Sequence, residues 1–291
     1  MKEIRYFYDP ALLLVEPKLE SSINMNGAGA SRDLLPDSEN ERVVATLQEE
    51  EATHALRVLR LGVGDDINVI DGRGHLIEGT IVEAAKRTCR YIINKVEKMP
   101  SLWRRRVHIA VAPTKNIDRM EWFVEKATEI GVDSITFLDC QFSERRVVKT
   151  ERLDKIAIAA MKQSHKFYKP QINDMVSFKD YIAASDGQQF IAHCYNPKDC
   201  SHSELCTQKH RNDAKPFLLD AIQPLAASDS AQPSAITVLV GPEGDFSVDE
   251  VRLAISQGYT PVSLGDSRLR TETAALVAVH LMQLAANLSQ R

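Results

Sequence analysis

Short apolar runs separated by turn residues dominate the first hundred residues of the chain. They predict strands at Ile4–Tyr8, Asp66–Asp71, Leu76–Glu83 and Arg90–Val96. The sequence Asp71-Gly72-Arg73-Gly74 is a strong hairpin signal between two of these runs. A short helix is predicted over residues 49–60, with Leu56 and Leu59 as its apolar anchors. Several short strands around one core are typical of a small β-barrel, which we place at residues 1–98.

The pattern changes after a linker at residues 99–106, because strands and helices then alternate. Strands are predicted at Val107–Ala112, Ser134–Cys140, Phe190–Cys194, Ile236–Val240 and Pro261–Leu264. Helices are predicted at Arg119–Ile130 and Glu151–His165, and two more begin at Ser247 and near Glu272. Strands that are apolar throughout indicate a parallel sheet covered on both faces. We therefore predict an α/β domain at residues 107–291, with polar insertions at 16–40 and 197–235.

The composition is that of an ordinary globular protein. Of the 291 residues, 44% are hydrophobic, 26% are charged and 6% are aromatic, which excludes a disordered or collagen-like chain. The longest apolar stretch, Ala274–Ala286, contains His280 and Gln283 and is shorter than the roughly 20 residues of a membrane span. The N-terminal apolar run, Ala11–Val15, is too short for a secretory signal. We therefore predict a cytoplasmic protein without a membrane segment.

Charge is distributed unevenly along the chain. Residues 100–170 contain 14 Lys and Arg against 9 Asp and Glu, a net charge of +5. The segments before and after it carry −4 and −5, which gives the overall −4. The middle segment is therefore the one whose charge suits a polyanion such as RNA, although an ordinary solvated surface has the same composition.

The cysteines do not indicate a disulfide framework or a metal site. The chain has five cysteines, an odd number, and we expect free thiols. Cys194, Cys200 and Cys206 recur at intervals of six near His193, His202 and His210. Structural zinc sites usually contain a close C-x-x-C pair, which this chain lacks. We interpret the cluster as accidental and predict no metal.

Several nucleotide-binding and catalytic signatures are absent. The first strand of the α/β pattern runs into Ala112-Pro113-Thr114-Lys115, which has no glycine. The Rossmann fingerprint, the P-loop, G-x-S-x-G and H-E-x-x-H do not occur. This excludes the usual dehydrogenase, NTPase, α/β-hydrolase and zincin classes.

Three turns near the C-terminus instead suit a ligand site. Gly241-Pro242-Glu243-Gly244 and Ser263-Leu264-Gly265 follow predicted strands, and the loop Leu269–Ala274 leads into the last helix. Gly244 permits a positive φ or a close backbone approach. Ligands bind at the carboxyl edge of parallel sheets. Backbone groups there could hydrogen-bond a nucleobase held between Leu264 and Leu269, although each turn taken singly could be an ordinary one.

The late motifs resemble a known enzyme family. GPEGDFSVDE at 241–250 and SLGDSRLRTETAA at 263–275 resemble the C-terminal signature of RsmE-type 16S ribosomal RNA uridine methyltransferases, in the SPOUT superfamily. HALRVLRLGVGDDINVIDGRG at 54–74 resembles the family's PUA-like barrel. DRMEWFVEKATEIGV at 118–132 and MKQSHKFYKPQI at 161–172 resemble two of its catalytic-domain helices. The family's usual second glycine after GPEG is replaced here by Asp245.

This resemblance implies a fold, a cofactor and partners. It implies a SPOUT domain with a trefoil knot that binds S-adenosyl-L-methionine (SAM), and a homodimer that methylates N3 of one uridine in 16S rRNA, which we place on the 30S subunit. The expected cofactor residues are Gly241, Pro242, Glu243, Gly244, Leu264, Gly265, Leu269, Arg270, Thr271, Thr273 and Ala274. The expected RNA-binding residues are Arg57, Arg60, Lys115, Arg119, Arg145, Arg146, Lys162, Gln163 and Lys166.

Arg270 and Glu272 are the candidate catalytic residues. Uridine N3 becomes nucleophilic when it loses its proton, and a cation beside it stabilises the anion. Arg270 suits that role, or it pairs with Glu272 or a phosphate. Glu272 is either the general base or a carboxylate that stabilises the start of the last helix.

Two other functions stay open at this point. A SPOUT methyltransferase with a different rRNA or tRNA target would share the cofactor motifs. A noncatalytic RNA-binding assembly factor would use the PUA-like barrel alone, and a SAM titration distinguishes it from an enzyme.

Overall fold

The chain folds into two compact units. A computed structural model describes residues 4–11, 43–101, 105–184, 187–195, 215–222 and 235–288. The first unit comprises Met1–Ser101 together with Met161–Lys169. The second comprises Leu102–Ala160 and Pro170–Arg291.

The first unit is built on a mainly antiparallel sheet. Its described strands are β1 (Tyr6–Tyr8), β2 (Val44–Thr46), β3 (Asp66–Ile70), β4 (His75–Ala85) and β5 (Thr88–Lys98). They lie in the order β1-β3-β4-β5-β2, with β1 parallel to β3 and the other pairs antiparallel. Their alternating apolar residues enclose a core that includes Phe7, Val69, Ile81 and Tyr91. This sheet matches the predicted strands, and β2 is an addition that the sequence pattern did not indicate.

The helix predicted over residues 49–60 is shorter and changes type. Helix α1 spans Glu49–Thr53, and a π-helical turn follows at His54–Val58. The turn ends at Arg60, which takes the left-handed conformation with φ 58°.

Residues 161–169 belong to the first unit although they follow the predicted linker by more than fifty positions. The backbone N–H of Gly74 donates to the carbonyl of Phe167 at 2.9 Å, and Lys169 donates to Gly72 at 2.8 Å. The hydroxyl of Tyr168 donates to the carbonyl of Met99 at 2.8 Å. A Cβ on Gly74 would lie 2.3 Å from the Tyr168 ring, and its φ is 98°. Only glycine therefore fits this hairpin against the returning segment.

The second unit contains a parallel sheet. Its described strands are β6 (Arg106–Val111), β7 (Ser134–Asp139), β8 (Gln171–Ser177), β9 (Gln188–Ala192), β10 (Ala235–Val240) and β11 (Thr260–Val262). Their order is β11-β9-β10-β6-β7-β8, and all neighbours are parallel. The described helices are α2 (Ile117–Ile130), α3 (Thr150–Gln163), α4 (Phe178–Ala184), α5 (Leu218–Ala221), α6 (Val248–Ser256) and α7 (Thr271–Leu288).

Both faces of this sheet are covered, as the apolar strands predicted. Successive residues of β6 enter different cores: Val107, Ile109 and Val111 pack with helices α2 and α7, whereas Ala110 packs with Phe178 and Phe246 on the other side. The helix boundaries follow local chemistry. Gly131 ends α2 in the left-handed conformation with φ 117°.

Strand β8 and helix α4 were not predicted. Strand β8 lies at the end of the strand order, and its residues are exposed or half-buried. It therefore lacks the continuous apolar run that marked the central strands. The insertions predicted at 16–40 and 197–235 fall mostly outside the described residues. Within the described ranges, no helix combines the length and apolar character needed to cross a membrane.

A half-buried histidine makes the second unit sensitive to acid. The His108 ring stacks on Tyr181 at 5.9 Å and pairs through Nδ1 with the hydroxyl of Ser134. Burial lowers the pKa of His108 from 6.5 to about 4. Below pH 6.5 the unfolded chain therefore binds a proton that the folded chain does not bind until about pH 4.

The free energy of unfolding is therefore expected to fall by about 2 kcal/mol at this residue between pH 7 and pH 5. Urea unfolding at the two pH values measures the loss, and His108→Gln should reduce it. His193, whose pKa burial lowers to about 3, adds to the same slope. An unchanged pH dependence in His108→Gln would contradict this assignment.

Candidate functional site

The turn after β10 is a compact loop at the carboxyl edge of the sheet. Gly241 is buried, and a Cβ there would lie 2.9 Å from the backbone nitrogen of Phe246. The backbone N–H of Asp245 donates to the carbonyl of Pro242 at 2.9 Å. Asp245, rather than Gly244, takes the left-handed conformation, with φ 67°. Gly244 instead allows a close approach, because a Cβ there would lie 3.3 Å from Cβ of Phe142.

Asp245 also joins this loop to the one after β9. Its Oδ2 accepts a hydrogen bond from the backbone N–H of Cys194 at 2.7 Å, and its Oδ1 accepts one from Phe246 at 2.8 Å. Strand β9 lies between β10 and β11 in the sheet. The side chain therefore fixes the positions of two neighbouring edge loops relative to each other.

A third edge loop, after β6, is held from two sides. The backbone N–H of Lys115 donates to Oε1 of Glu243 at 2.9 Å. The Arg145 guanidinium donates to the carbonyls of Thr114 at 3.2 Å and Lys115 at 2.6 Å. Arg145, predicted to bind RNA, thus has a structural role in this loop.

The loop after β11 presents backbone groups to solvent. Gly265 is exposed with φ 122°, and its N–H donates to the hydroxyl of Ser263 at 3.1 Å. Leu264 and Leu269 on either side of the exposed turn are half-buried. This arrangement retains the predicted pair of apolar side chains near an exposed backbone turn.

A cleft of about 660 Å³ opens beside the last loop. Its lining residues are Asp118, Arg119, Trp122, Arg268, Leu269, Arg270, Glu272 and Thr273. Nη1 of Arg119 lies 3.5 Å from Oε1 of Glu272, whose side chain is only 9% exposed. Oε2 of Glu272 is buried and has no hydrogen-bond partner among the described residues. The cleft therefore contains a carboxylate with a described partner for only one of its two oxygens.

The structure brings the predicted cofactor residues to this one edge, in different environments. Gly241, Pro242 and Thr271 are buried. Leu264, Leu269, Thr273 and Ala274 are half-buried, and Glu243, Gly244, Gly265 and Arg270 are exposed. Glu272 pairs with Arg119, which does not support the alternative in which it pairs with Arg270.

The predicted RNA-binding residues do not form one group. Arg57, Arg60, Lys162, Gln163 and Lys166 belong to the first unit. Lys115, Arg119, Arg145 and Arg146 belong to the second. The side chains of Arg57, Arg60 and Lys115 are exposed, and that of Lys115 pairs with Glu144 at 2.8 Å.

Three basic residues have protein partners or are inaccessible. Arg146 pairs with Asp139, and Lys162 pairs with Glu51. Arg105, at the end of the predicted linker, is only 1% exposed, and burial lowers its pKa. The linker pattern could not reveal that burial, because adjacent arginines read alike in sequence.

Lys162 is expected to contribute to the stability of the first unit. Its ammonium is 21% exposed, and the Glu51 carboxylate is 13% exposed. Removing the cation leaves a largely buried carboxylate without its charged partner. Lys162→Met should therefore lower the free energy of unfolding by about 1–3 kcal/mol, measured by urea denaturation.

The exposed Lys149 provides a matched control, and Lys149→Met should change stability by less than about 0.5 kcal/mol. Adding Glu51→Gln to Lys162→Met should recover part of the loss. Equal stability of the two lysine variants would show that the ion pair contributes nothing.

Sequence reasoning missed four residues of the site. Asp118, Trp122 and Arg268 line the cleft, and Asp245 joins two loops. Asp245 was noted only as a departure from the family's glycine. The first turn of α2 after an edge loop was the signal that could have placed Asp118 and Trp122 near the site.

The described residues around His193 and Cys194 do not form a metal site. Among the described residues, no group of three His, Cys, Asp or Glu side chains could hold a metal ion. His193 is bonded through its carbonyl to Lys215, and Cys89, Cys140 and Cys194 are free thiols. Cys200, His202, Cys206 and His210 lie outside the described residues.

Comparisons with known proteins agree with this architecture. A family model for an RNA methyltransferase domain matches residues 101–283, and one for an RNA methyltransferase PUA domain matches residues 47–93. The crystal structure of a probable rRNA-methyltransferase from Porphyromonas gingivalis is 33% identical, with a TM-score of 0.75 over 98% of this chain and 99% of that one.

Two other relatives extend the comparison. Ribosomal RNA small subunit methyltransferase E of Rickettsia conorii is 28% identical over 85% of this chain and 91% of its own length. A methyltransferase of Legionella pneumophila, solved with bound SAM, shares the fold with a TM-score of 0.70, 23% identity, and coverage of 97% of this chain and 98% of its own.

A parallel α/β unit with three ligand-competent edge loops, preceded by a PUA-like unit, defines a methyltransferase of the RNA-modifying class. The chain belongs to the RNA methyltransferase family. The predicted resemblance to RsmE-type enzymes is confirmed by several curated relatives with that name.

Proposed function

We propose that the protein transfers the methyl group of SAM to N3 of a uridine in 16S rRNA, on the 30S subunit. The observation that carries this proposal is the convergence of GPEGD, SLGDS and LRTETA on one sheet edge in a chain of this family. The supporting relatives are ribosomal RNA small subunit methyltransferases E. We retain the predicted division into a PUA-like domain at 1–98, a linker at 99–106 and a methyltransferase domain at 107–291, except that residues 161–169 pack in the first unit.

The residues at the sheet edge fit SAM. Gly241, which is buried, and Gly244, which is exposed, lack the Cβ that would crowd Phe246 or Phe142. Gly265 faces open space, with nothing within 4 Å of a Cβ built on it. The half-buried Leu264 and Leu269 suit the faces of an adenine ring. SAM, when bound there, supplies an electrophilic methyl group.

The chain's own residues orient the acceptor and manage its charge. The uracil N3 must lose its proton, and the site must hold the resulting anion towards the cofactor loops. Arg270, exposed at the rim of the cleft, is placed to stabilise that anion. Glu272 offers a carboxylate oxygen without a partner and is the group that accepts the proton.

The test is methyl transfer in a purified system. The protein is incubated with radiolabelled SAM and 30S subunits that lack the modification, with free 16S rRNA and 50S subunits as controls. We expect label in the 30S subunits at N3 of uridine, and less in free 16S rRNA, because RNA recognition favours splayed bases held by structure. Label only in tRNA or in 50S subunits would favour a different target, and no SAM binding would favour a noncatalytic assembly factor.

We also propose that the protein forms a homodimer and that its methyltransferase domain contains the trefoil knot. Helix α7 is apolar around most of its circumference, and Leu276 and Val277 are only partly buried by the chain itself. Such a helix suits a partner surface. Light scattering is expected to give twice the chain mass of 32.5 kDa, whereas a mass of one chain at micromolar concentration would rule out a stable dimer.

A further inference from the structure

Trp122 occupies an unusual position on α2. The same helix buries Met120, Phe123 and Val124 completely, yet the Trp122 side chain remains 43% exposed. It faces the cleft that also contains Arg119 and Glu272. An exposed indole beside charged groups offers a flat apolar surface that a planar ring can cover.

One oxygen of the Glu272 carboxylate lacks a hydrogen-bond donor within the described part of the chain. Oε1 is near Arg119, whereas Oε2 is buried without a hydrogen-bond partner among the described residues. A buried acceptor left unsatisfied is unfavourable. Rotation of the Glu272 side chain can turn this oxygen towards the cleft, where a ligand N–H can donate to it.

The remaining walls suit a phosphate. Arg119, Arg268 and Arg270 line the cleft against the carboxylates of Asp118 and Glu272. Arginine guanidinium groups bind phosphate oxygens in a fork geometry. Arg119 comes from the basic middle segment and the other two arginines from the acidic C-terminal segment, so segment charges alone did not indicate this cluster.

We propose that the cleft binds the acceptor nucleotide, with its pyrimidine base stacked on Trp122 and its N3–H donated to Glu272. This inference rests on the proposed function and assigns the substrate to specific residues. Bases of single-stranded RNA commonly stack on aromatic side chains. Among the arginines that line the cleft, Arg268 holds a flanking phosphate, while Arg270 stabilises the base anion as proposed above.

The assignment makes the cleft selective for the unmodified base. Uridine has an N–H at position 3, whereas 3-methyluridine, the proposed product, has a methyl group there. The product therefore leaves Oε2 of Glu272 unsatisfied and places a methyl group against it. A site that hydrogen-bonds a substrate group rejects an analogue lacking it, so the cleft favours release of the product.

Fluorescence of Trp122 tests the proposal directly. The chain has two tryptophans, Trp103 and Trp122, so Trp103→Phe leaves Trp122 as the single reporter. Uridine 5′-monophosphate should quench its emission along a saturable curve. The 3-methyluridine nucleotide should bind at least about tenfold more weakly.

Variants separate stacking from hydrogen bonding. Measured by calorimetry, Trp122→Ala should weaken uridine monophosphate binding by about tenfold, and Trp122→Phe should retain most of it. Glu272→Ala should abolish the preference for uridine over 3-methyluridine. The control Glu125→Ala, on the exposed side of the same helix, should preserve that preference.

SAM affinity and oligomeric state provide further readouts. SAM binding by calorimetry should be unchanged in Trp122→Ala, and the dimer should persist. Loss of the dimer in Trp122→Ala would overturn the proposal by making the indole a subunit contact. Unquenched emission at saturating nucleotide would also overturn it, while methylation of 30S subunits by the wild type would leave the proposed function intact.

Discussion

Gly241→Ala is expected to weaken SAM binding more than about a hundredfold while the protein stays folded. A Cβ at this position would lie 2.9 Å from the backbone nitrogen of Phe246 and 3.1 Å from the carbonyl carbon of Asp245. Both are backbone atoms, so the clash cannot be relieved by rotating a side chain. The turn closed by the Asp245-to-Pro242 hydrogen bond must open instead.

Gly241→Ala should lower both the folding stability and the SAM affinity, and the loss of affinity should be the larger. Overpacking of this kind costs about 1–3 kcal/mol of folding stability, which the domain core can absorb. Displacing the loop should weaken SAM binding by about 3 kcal/mol, which raises the Kd for SAM more than about a hundredfold. Calorimetry measures the affinity, and thermal unfolding measures the stability.

Gly62→Ala is the matched control. The nearest atom to a Cβ there is Oδ2 of Asp65 at 4.0 Å, so both affinity and stability should be retained. Wild-type SAM affinity in a folded Gly241→Ala variant would refute the assignment of this loop to the cofactor.

Asp245 is the second position where a large effect is expected. Its left-handed backbone disfavours residues other than glycine, asparagine and aspartate, and its side chain accepts two backbone N–H groups. Asp245→Gly keeps the backbone conformation but loses both bonds. Asp245→Ala loses the bonds and adds about 1–2 kcal/mol of backbone strain.

The Asp245 variants separate the contribution of the two hydrogen bonds from that of the backbone strain. We expect SAM affinity to decrease in the order wild type, Asp245→Asn, Asp245→Gly, Asp245→Ala, with about a tenfold loss in the glycine variant. Asn is intermediate because its side chain has one acceptor oxygen. Amide hydrogen exchange at Cys194 should accelerate in the glycine variant, because its N–H loses its acceptor. Unchanged exchange at Cys194 would contradict the proposed bridge between the loops.

Much of the fold was predictable because local chemistry and burial agree. The apolar runs of β6, β7 and β10 indicated a covered parallel sheet, and the helix predicted to begin at Ser247 does so with a capping box. There the hydroxyl of Ser247 accepts the N–H of Glu250 at 3.2 Å, and Oε2 of Glu250 accepts the N–H of Ser247 at 2.8 Å. Strand β8 was not predicted because its side chains are exposed or half-buried and include no continuous apolar run.

The details of the candidate site depended on contacts between distant residues. Arg119 and Glu272 are 153 positions apart, and Lys162 meets Glu51 across 111 positions. Neither hydrophobic periodicity nor a short sequence motif indicates which distant residues form an ion pair. Sequence could name Arg270 and Glu272 as candidates, but only the structure distinguishes the arginine beside Glu272.

Mass mapping of 16S rRNA nucleosides tests the central claim most directly. It compares a strain lacking this gene with the same strain carrying the wild-type gene or Gly241→Ala. The account predicts one 3-methyluridine in 16S rRNA that disappears on deletion, returns with the wild-type gene and stays absent with Gly241→Ala. An unchanged 3-methyluridine in the deletion strain would contradict it.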